Sequence, residues 1–229
     1  ICGRIGGGVA SKLRALGHRI VGVDVAADPG GLVGTVCDSF VQCDLVAAAE
    51  KADAASALQS ACAGVNVVIH CAAWPGPSAT PPPAVVASNS AMAKPAIGLE
   101  SAPPSVLLRD NTASTSAVCD AALAAGASRL VFSSSAFAMG YTHAPRGPQA
   151  WTPRYLPVDE AHGATPHETY GLSKLVGEEV LEAAARTATD ASFVSLRFTN
   201  IVKRECAARA SNASRRLVLE PPEQPPAAL

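Results

Sequence analysis

The order of helix-forming and strand-forming segments constrains the fold of this chain more than any other feature of its sequence. Four times, a segment that favours a helix is followed by a short apolar, β-branched segment typical of a buried strand. The helices are predicted over 7–16, 47–63, 112–125 and 170–185, and the strands over 19–24, 65–70, 130–132 and 193–197. This alternation predicts an α/β fold with a parallel sheet, right-handed crossovers and helices on both faces.

Polar residues gather where the predicted strands end, which is where sites lie in parallel α/β sheets. Asp24, His70, the serines 133–135 and the pair 199–200 each follow a strand. His70 has no His or Cys partner at metal-ligand spacing, so we expect a hydrogen-bonded strand-end histidine there rather than a metal ligand.

Composition excludes several classes of function. The net charge of −1 gives no excess of basic residues for nucleic acid or an anionic membrane. No apolar stretch reaches the length of about 18 residues that a membrane helix needs. Seven cysteines contain no C-x-x-C pair, so neither a zinc site nor a redox dithiol is indicated. We expect a soluble intracellular protein without nucleic-acid or membrane partners, in a compartment that the sequence does not specify.

The turn before the first helix has the pattern of a dinucleotide loop. Gly3, Arg4, Ile5 and Gly6 precede the helix, and Asp24 follows Gly6 by 18 positions, close to the gap of about 20 expected before a ribose-binding acid. Glycines let the backbone approach a pyrophosphate, whose charge the helix N-terminus favours. A Gly-x-x-Gly alone fits a tight turn equally well, but Asp24 favours cofactor binding. Because the acid repels a 2′-phosphate, NAD is predicted rather than NADP.

The pair Tyr170 and Lys174 indicates proton chemistry. Residues at i and i+4 share one helix face, so the ammonium is predicted to favour the phenolate, which can exchange a proton with an alcohol. The alternative is an exposed tyrosine and a solvated lysine. Ser135, just past a strand, could bind the same oxygen, although serines also commonly end strands. No Gly-x-Ser-x-Gly elbow suggests a hydrolase.

Two segments interrupt the alternation. Residues 74–109 are rich in Pro, Ala and Ser and are predicted to form a lid or a disordered insertion. Residues 203–229 are basic and then Pro-rich, without a clear period, and are predicted to form a tail with little fixed structure.

Together these residues resemble the extended short-chain dehydrogenase/reductase family, in its NAD-dependent epimerase/dehydratase group, which includes UDP-glucose 4-epimerase. The resemblance covers about residues 1–202. Further matches are Asp44-Leu45, 67–73 (V-V-I-H-C-A-A), Asn111 with Thr115, 132–136 (F-S-S-S-A) and 196–200 (L-R-F-T-N).

The resemblance implies a Rossmann-like doubly wound sheet that binds NAD and a sugar or nucleotide-sugar substrate, with a homodimer as a further expectation. It implies that Tyr170 exchanges the proton of a sugar hydroxyl, that Lys174 holds the nicotinamide ribose and lowers the tyrosine pKa, and that Ser135 positions the hydroxyl. The implied cofactor contacts are Gly3, Arg4, Ile5, Gly6, Asp24, Asp44, Leu45, Ala72, Ala73, Asn111, Tyr170 and Lys174.

The chain also departs from the family pattern. Residues 1–6 match only the end of the T-G-x-x-G-x-x-G loop, so the first strand and first glycine are expected upstream of Ile1. After Asn200, the expected substrate lobe is largely absent. Met139-Gly140 replaces the usual Tyr-Gly. Two alternatives to an enzyme therefore stay open: a non-catalytic NAD-binding or interaction protein, and a gene-model fragment that folds poorly.

Overall fold

The computed structural model describes residues 1–28, 31–74, 102–141, 151–199 and 201. In chain order, the elements are α1 (Arg4–Ala15), β1 (Val21–Asp24), β2 (Ser39–Gln42), α2 (Leu45–Glu50), α3 (Ala52–Cys62), β3 (Val67–His70), α4 (Pro104–Ala124), β4 (Arg129–Ser135), a 3₁₀ helix (Ala136–Met139), α5 (Thr169–Ala185) and β5 (Ser192–Phe198). Predictions for 75–101, for Asn200 and for 203–229 lie outside these residues.

All strand pairs are parallel, as the alternation predicts. β1 pairs with β2, and β4 lies between β3 and β5. The predicted α/β class is therefore confirmed. Among the described residues, however, the strands form two sheets rather than one. Ile1 lies beside β1, where its backbone nitrogen donates a hydrogen bond to the Val23 carbonyl (3.0 Å).

Several predicted boundaries were wrong. The helix predicted over 47–63 is two helices, because Lys51 adopts an extended conformation between them. The predicted loop over 74–109 is helical from Pro104 onward, since proline suits the first turn of a helix. The first helix begins at Arg4 rather than Gly7.

The serines predicted to follow a strand are part of it. β4 continues to Ser135 because its pairing with β5 extends to the partners Ser135 and Phe198. The strand β2 was not predicted, since its residues, Ser39–Gln42, are few and only partly apolar. The carboxyl end of β4 therefore carries three ordered hydroxyl side chains in an extended backbone.

The hydrophobic core joins β4 to helices α2, α3, α4 and α5. Leu130 and Phe132 on β4 are 3% and 1% exposed, and they belong to one cluster with Val118, Ala122 and Leu181. Small side chains let the helices approach the strand closely. No helix among the described residues has the length and apolar character needed to span a bilayer.

We expect Gly177→Ala to lower the free energy of unfolding by about 1–3 kcal/mol, the usual cost of overpacking a core. A Cβ at Gly177 would lie 2.6 Å from Cζ of Phe132, which is buried and cannot move aside. The control is Gly8→Ala in α1, whose Cβ meets nothing within 4 Å. It is expected to raise stability by about 0.4–1 kcal/mol. Urea titration measures both, and equal effects would contradict this packing.

Candidate active site

The first turn of α1 carries no acidic residue. Gly3 is its N-cap, makes no side-chain capping bond, and would have nothing within 4 Å of an added Cβ. A Cβ on Gly6 would lie 3.0 Å from Cα of Ile1, so this position favours glycine. Arg4 and Ile5 form the first turn, whose unpaired backbone N–H groups favour an anion.

Asp24 fixes a carboxylate beside this turn. Its Oδ2 accepts hydrogen bonds from the backbone nitrogens of Ile1 (2.9 Å) and Cys2 (2.8 Å), and its Oδ1 accepts one from Ala26 (3.1 Å). Partial burial alone would raise the pKa of Asp24, but these hydrogen bonds lower it overall. An ionised carboxylate at this place suits ribose hydroxyls and opposes a 2′-phosphate.

Asp44 and Leu45 have local structural roles. The Asp44 carboxylate caps α2 by accepting hydrogen bonds from the backbone of Val46 (2.9 Å) and Ala47 (3.3 Å). Leu45 packs partly buried against the core. Contact of this pair with an adenine stays a prediction.

The segment after β3 presents two small exposed residues, Ala72 and Ala73, and is held by Asn111. The Asn111 side chain accepts from the Trp74 backbone nitrogen (2.7 Å) and donates to the Trp74 carbonyl (3.2 Å). The Trp74 indole donates to the Asp110 carboxylate (2.8 Å). Asn111 and Asp110 on α4 therefore fix the strand exit where the cofactor is predicted to lie.

Asn111 also connects this exit to α5. Its amide donates to Oγ of Ser173 (3.0 Å), and that hydroxyl donates to the Tyr170 carbonyl (2.8 Å). Sequence reasoning missed Trp74, Asp110 and Ser173 in this role. The sequence contained one signal for this role of Trp74, because it is a rare aromatic residue placed just after a predicted strand.

The structure brings the predicted catalytic residues together. Ser135 ends β4, its hydroxyl accepts a hydrogen bond from the Phe137 backbone nitrogen (3.3 Å), and it lies close enough to the Tyr170 phenol from α5 to lower the pKa of that phenol. The Lys174 ammonium donates to the Ser133 carbonyl (2.8 Å) and lies 5.6 Å from the centre of the Tyr170 ring. It also lies 4.9 Å above the Phe132 ring.

The predicted lowering of the Tyr170 pKa was wrong for this arrangement. Burial raises the pKa of Tyr170, the Ser135 hydrogen bond opposes that rise, and Glu168 adds to it. The Lys174 ammonium faces a backbone carbonyl of β4 rather than the phenol oxygen. The phenol is therefore protonated at neutral pH.

Lys174 is itself perturbed. Lys174 is 3% exposed, and burial lowers the pKa of its ammonium to about 8. The nearby Cys71 has the smaller, opposite effect of raising that pKa. The side chain is consequently cationic at neutral pH. Among the described residues, the ammonium donates a hydrogen bond to one carbonyl, which leaves two of its three N–H groups for a ligand.

His70 is a neutral core residue. Burial, with a smaller contribution from Lys174, lowers the pKa of His70 to about 3. Its Nε2 lies 3.2 Å from Oγ1 of Thr115, and its ring stacks on Phe132 at 5.6 Å. The predicted hydrogen-bonded strand-end role is confirmed. Among the described residues, no group of three His, Cys, Asp or Glu side chains could hold a metal ion.

Comparison with known proteins gives a consistent result. The model of the NAD dependent epimerase/dehydratase family matches residues 81–218, more than half of the chain. UDP-glucose 4-epimerase 4 of Oryza sativa subsp. japonica is 31% identical over 107 residues, which are 47% of this chain and 26% of that protein.

Solved structures also match this fold. A short-chain dehydrogenase/reductase superfamily protein from Agrobacterium tumefaciens with bound NAD is 28% identical at a TM-score of 0.59, over 86% of this chain and 47% of that one. UDP-glucose-4-epimerase from Stenotrophomonas maltophila, with bound NAD and formylated UDP-arabinopyranose, is 26% identical at a TM-score of 0.61. The match covers 90% of this chain and 53% of that one. The chain thus spans about half the length of these structures.

Stability is expected to fall between pH 7 and pH 5 because of His70. The unfolded histidine has a pKa near 6.5, whereas the folded one titrates near 3, so below pH 6.5 the unfolded state binds the extra proton. The loss at pH 5 is about 2 kcal/mol, from about 1.36 kcal/mol per pH unit. Urea titrations at both pH values measure it. In His70→Gln this dependence should disappear, and an unchanged slope would contradict the assignment.

Proposed function

The chain belongs to the NAD-dependent epimerase/dehydratase family, and we propose that it binds NAD and transfers hydride at a hydroxyl-bearing carbon of a nucleotide sugar. The observation that carries this proposal is the convergence of Ser135 from β4 with Tyr170 and Lys174 from α5. A phenol, a hydroxyl and a buried ammonium at one strand end suit proton exchange with an alcohol.

The residues of the site fit NAD. Gly3 leaves open space at an anion-favouring helix N-terminus, and Asp24 supplies the carboxylate for ribose hydroxyls. Ala72 and Ala73 offer an exposed strand exit without bulky side chains. Lys174 has donors left for the second ribose. The bound NAD of the bacterial relatives supports this assignment.

Tyr170 is the proton-transfer group in this proposal. As a protonated phenol, it donates its proton to the oxygen of a keto sugar when a hydride reaches the carbon. In the opposite direction, its phenolate would accept the proton of the sugar hydroxyl. NAD, when bound, supplies the hydride acceptor.

Ser135 and Lys174 support that transfer. Ser135 can donate to the substrate oxygen that the phenol serves, because it lies beside the phenol and lowers its pKa. Lys174 places a positive charge 5.6 Å from the centre of the Tyr170 ring, which favours negative charge on the sugar oxygen as its proton is removed. Since the phenol pKa is raised by burial, we expect removal of the hydroxyl proton to be the harder direction near neutral pH.

A nucleotide sugar is the proposed substrate class. It is supported by the 31% identity to the rice UDP-glucose 4-epimerase and by the UDP-sugar bound to the Stenotrophomonas enzyme. Return of the hydride to the opposite face would give an epimer, whereas release of the keto product would give a dehydrogenase. Chromatography of the products distinguishes the two.

We expect Tyr170→Phe to lower turnover of a UDP-hexose by about 10²–10⁴-fold, the usual range for loss of a general acid–base group. Product formation with added NAD is the measurement. The control is Tyr155→Phe, which removes the same hydroxyl from a 41% exposed tyrosine bonded to Asp159. Turnover that survives in Tyr170→Phe would reject this mechanism. Calorimetric NAD binding without turnover of nucleotide sugars would instead favour the non-catalytic alternative.

Asp24→Asn is expected to shift the ratio of NADP to NAD affinity by about tenfold toward NADP, equivalent to about 1.4 kcal/mol. The carboxylate that repels a 2′-phosphate is then neutral, whereas the amide retains one oxygen that can accept from the Ile1–Cys2 backbone. Isothermal calorimetry with both dinucleotides gives the ratio. Asp53→Asn, on the exposed first turn of α3, is the matched control and should leave it unchanged.

A further inference from the structure

A buried carboxylate lies two turns beyond the catalytic tyrosine. Tyr170, Lys174 and Glu178 are spaced at i, i+4 and i+8 on α5, so they follow one side of the helix. Glu178 is 6% exposed. Removing a carboxylate from water is costly unless it is paired and hydrogen-bonded, so the partners of this residue define its role.

Two adjacent strands supply those partners. From β4, the Ser134 hydroxyl donates to Oε1 of Glu178 (2.5 Å). From β5, Arg197 donates through Nε to Oε1 (2.9 Å) and through Nη2 to Oε2 (2.7 Å). Ser134 and Arg197 are register partners across the β4–β5 pair, so their side chains share a face of the sheet. One carboxylate therefore joins α5 to both strands.

On β4, the residue that binds Glu178 is Ser134, which lies between the two serines next to Lys174 and Tyr170. The Ser133 carbonyl accepts a hydrogen bond from the Lys174 ammonium, and Ser135 lies beside the Tyr170 phenol. Ser134 stands between them and is held by Glu178. A shift of α5 along β4 would alter both catalytic contacts at once, and the Ser134–Glu178 bond opposes that shift.

We propose that Glu178 is a positioning residue: with Ser134 and Arg197, it sets the placement of Tyr170 and Lys174 relative to the end of β4. This inference rests on the proposed function, because it concerns the same site. General stabilisation is the weaker explanation, since buried ion pairs add little stability compared with apolar residues of similar size. Their directional hydrogen bonds, in contrast, fix one relative placement of the elements that they join.

Positioning predicts a kinetic defect without a matching loss of substrate binding. A displacement of about 1 Å at a reacting centre can lower a rate by about 10²-fold. In Ser134→Ala and Glu178→Gln, we expect turnover to fall by about 10- to 100-fold, while the KM for the nucleotide sugar changes by less than about twofold. Because Lys174 moves as well, the calorimetric Kd for NAD should rise by about threefold or more in both variants.

Matched controls separate positioning from stability. Ser128→Ala removes a serine hydroxyl just before the same strand, where it bonds the Asn66 carbonyl far from the site. Leu181→Val trims a buried side chain of the same helix, 1% exposed, that belongs to the core cluster. Both controls should lower thermal stability at most, and leave the turnover of folded protein and the Kd for NAD unchanged.

A double variant tests whether Glu178 acts on the site through Ser134. If Glu178 acts through Ser134, the double variant Ser134→Ala/Glu178→Gln should be no slower than the slower single variant, because both changes weaken the same contact. All proteins are compared as full chains at a temperature where each is folded by circular dichroism. Kinetics and NAD affinity that match those of Leu181→Val would overturn the positioning role.

Failure of the proposed function and failure of the positioning inference are distinguished by the turnover of different variants. Unchanged turnover in Tyr170→Phe would reject the chemistry itself, whatever the Glu178 variants do. Loss of turnover in Tyr170→Phe, together with wild-type behaviour of both Ser134→Ala and Glu178→Gln, would leave the chemistry in place and reject the positioning inference alone.

Discussion

The contact between α5 and β4 is the interaction on which the site depends. Gly177 lets the helix rest against the Phe132 ring, where a methyl group would clash. One turn earlier, the Lys174 ammonium reaches the Ser133 carbonyl. Apolar packing sets the distance between helix and strand, and polar contacts set their relative placement. The phenol and the hydroxyl of the proposed catalytic set come from opposite sides of this contact, so their separation is a property of the core.

Much of the architecture follows from local sequence, because glycine breaks and apolar β-branched runs act over a few residues. The order of helices and parallel strands was predictable for this reason. The break at Lys51 was not, since the surrounding alanines favour one continuous helix and the extended conformation depends on neighbouring elements. The strand Ser39–Gln42 is likewise defined by its pairing with β1 rather than by its own composition.

The candidate site, too, was predictable from the sequence only in part. Spacing alone predicted Asp24 beside the glycine turn, and the helical period predicted a shared face for Tyr170 and Lys174. The protonation state of Tyr170 was harder to predict, because its pKa depends on burial, which outweighs the opposing hydrogen bond of Ser135. The hydrogen bonds of Asn111 to Trp74 and Ser173 join three elements that are far apart in sequence. No local pattern specifies such contacts.

The hydrogen bonds that hold Trp74 against Asn111 and Asp110 have a spectroscopic consequence. The chain has two tryptophans, and the indole of Trp74 donates its N–H to the Asp110 carboxylate beside Ala72 and Ala73. Indole fluorescence responds to the polarity and hydrogen bonding of its surroundings. A ligand that binds against the exit of β3 would therefore change the emission of Trp74, while Trp151 lies elsewhere, in a tilted contact with the His162 ring. Trp74 would thus report ligand binding at this exit without an added label.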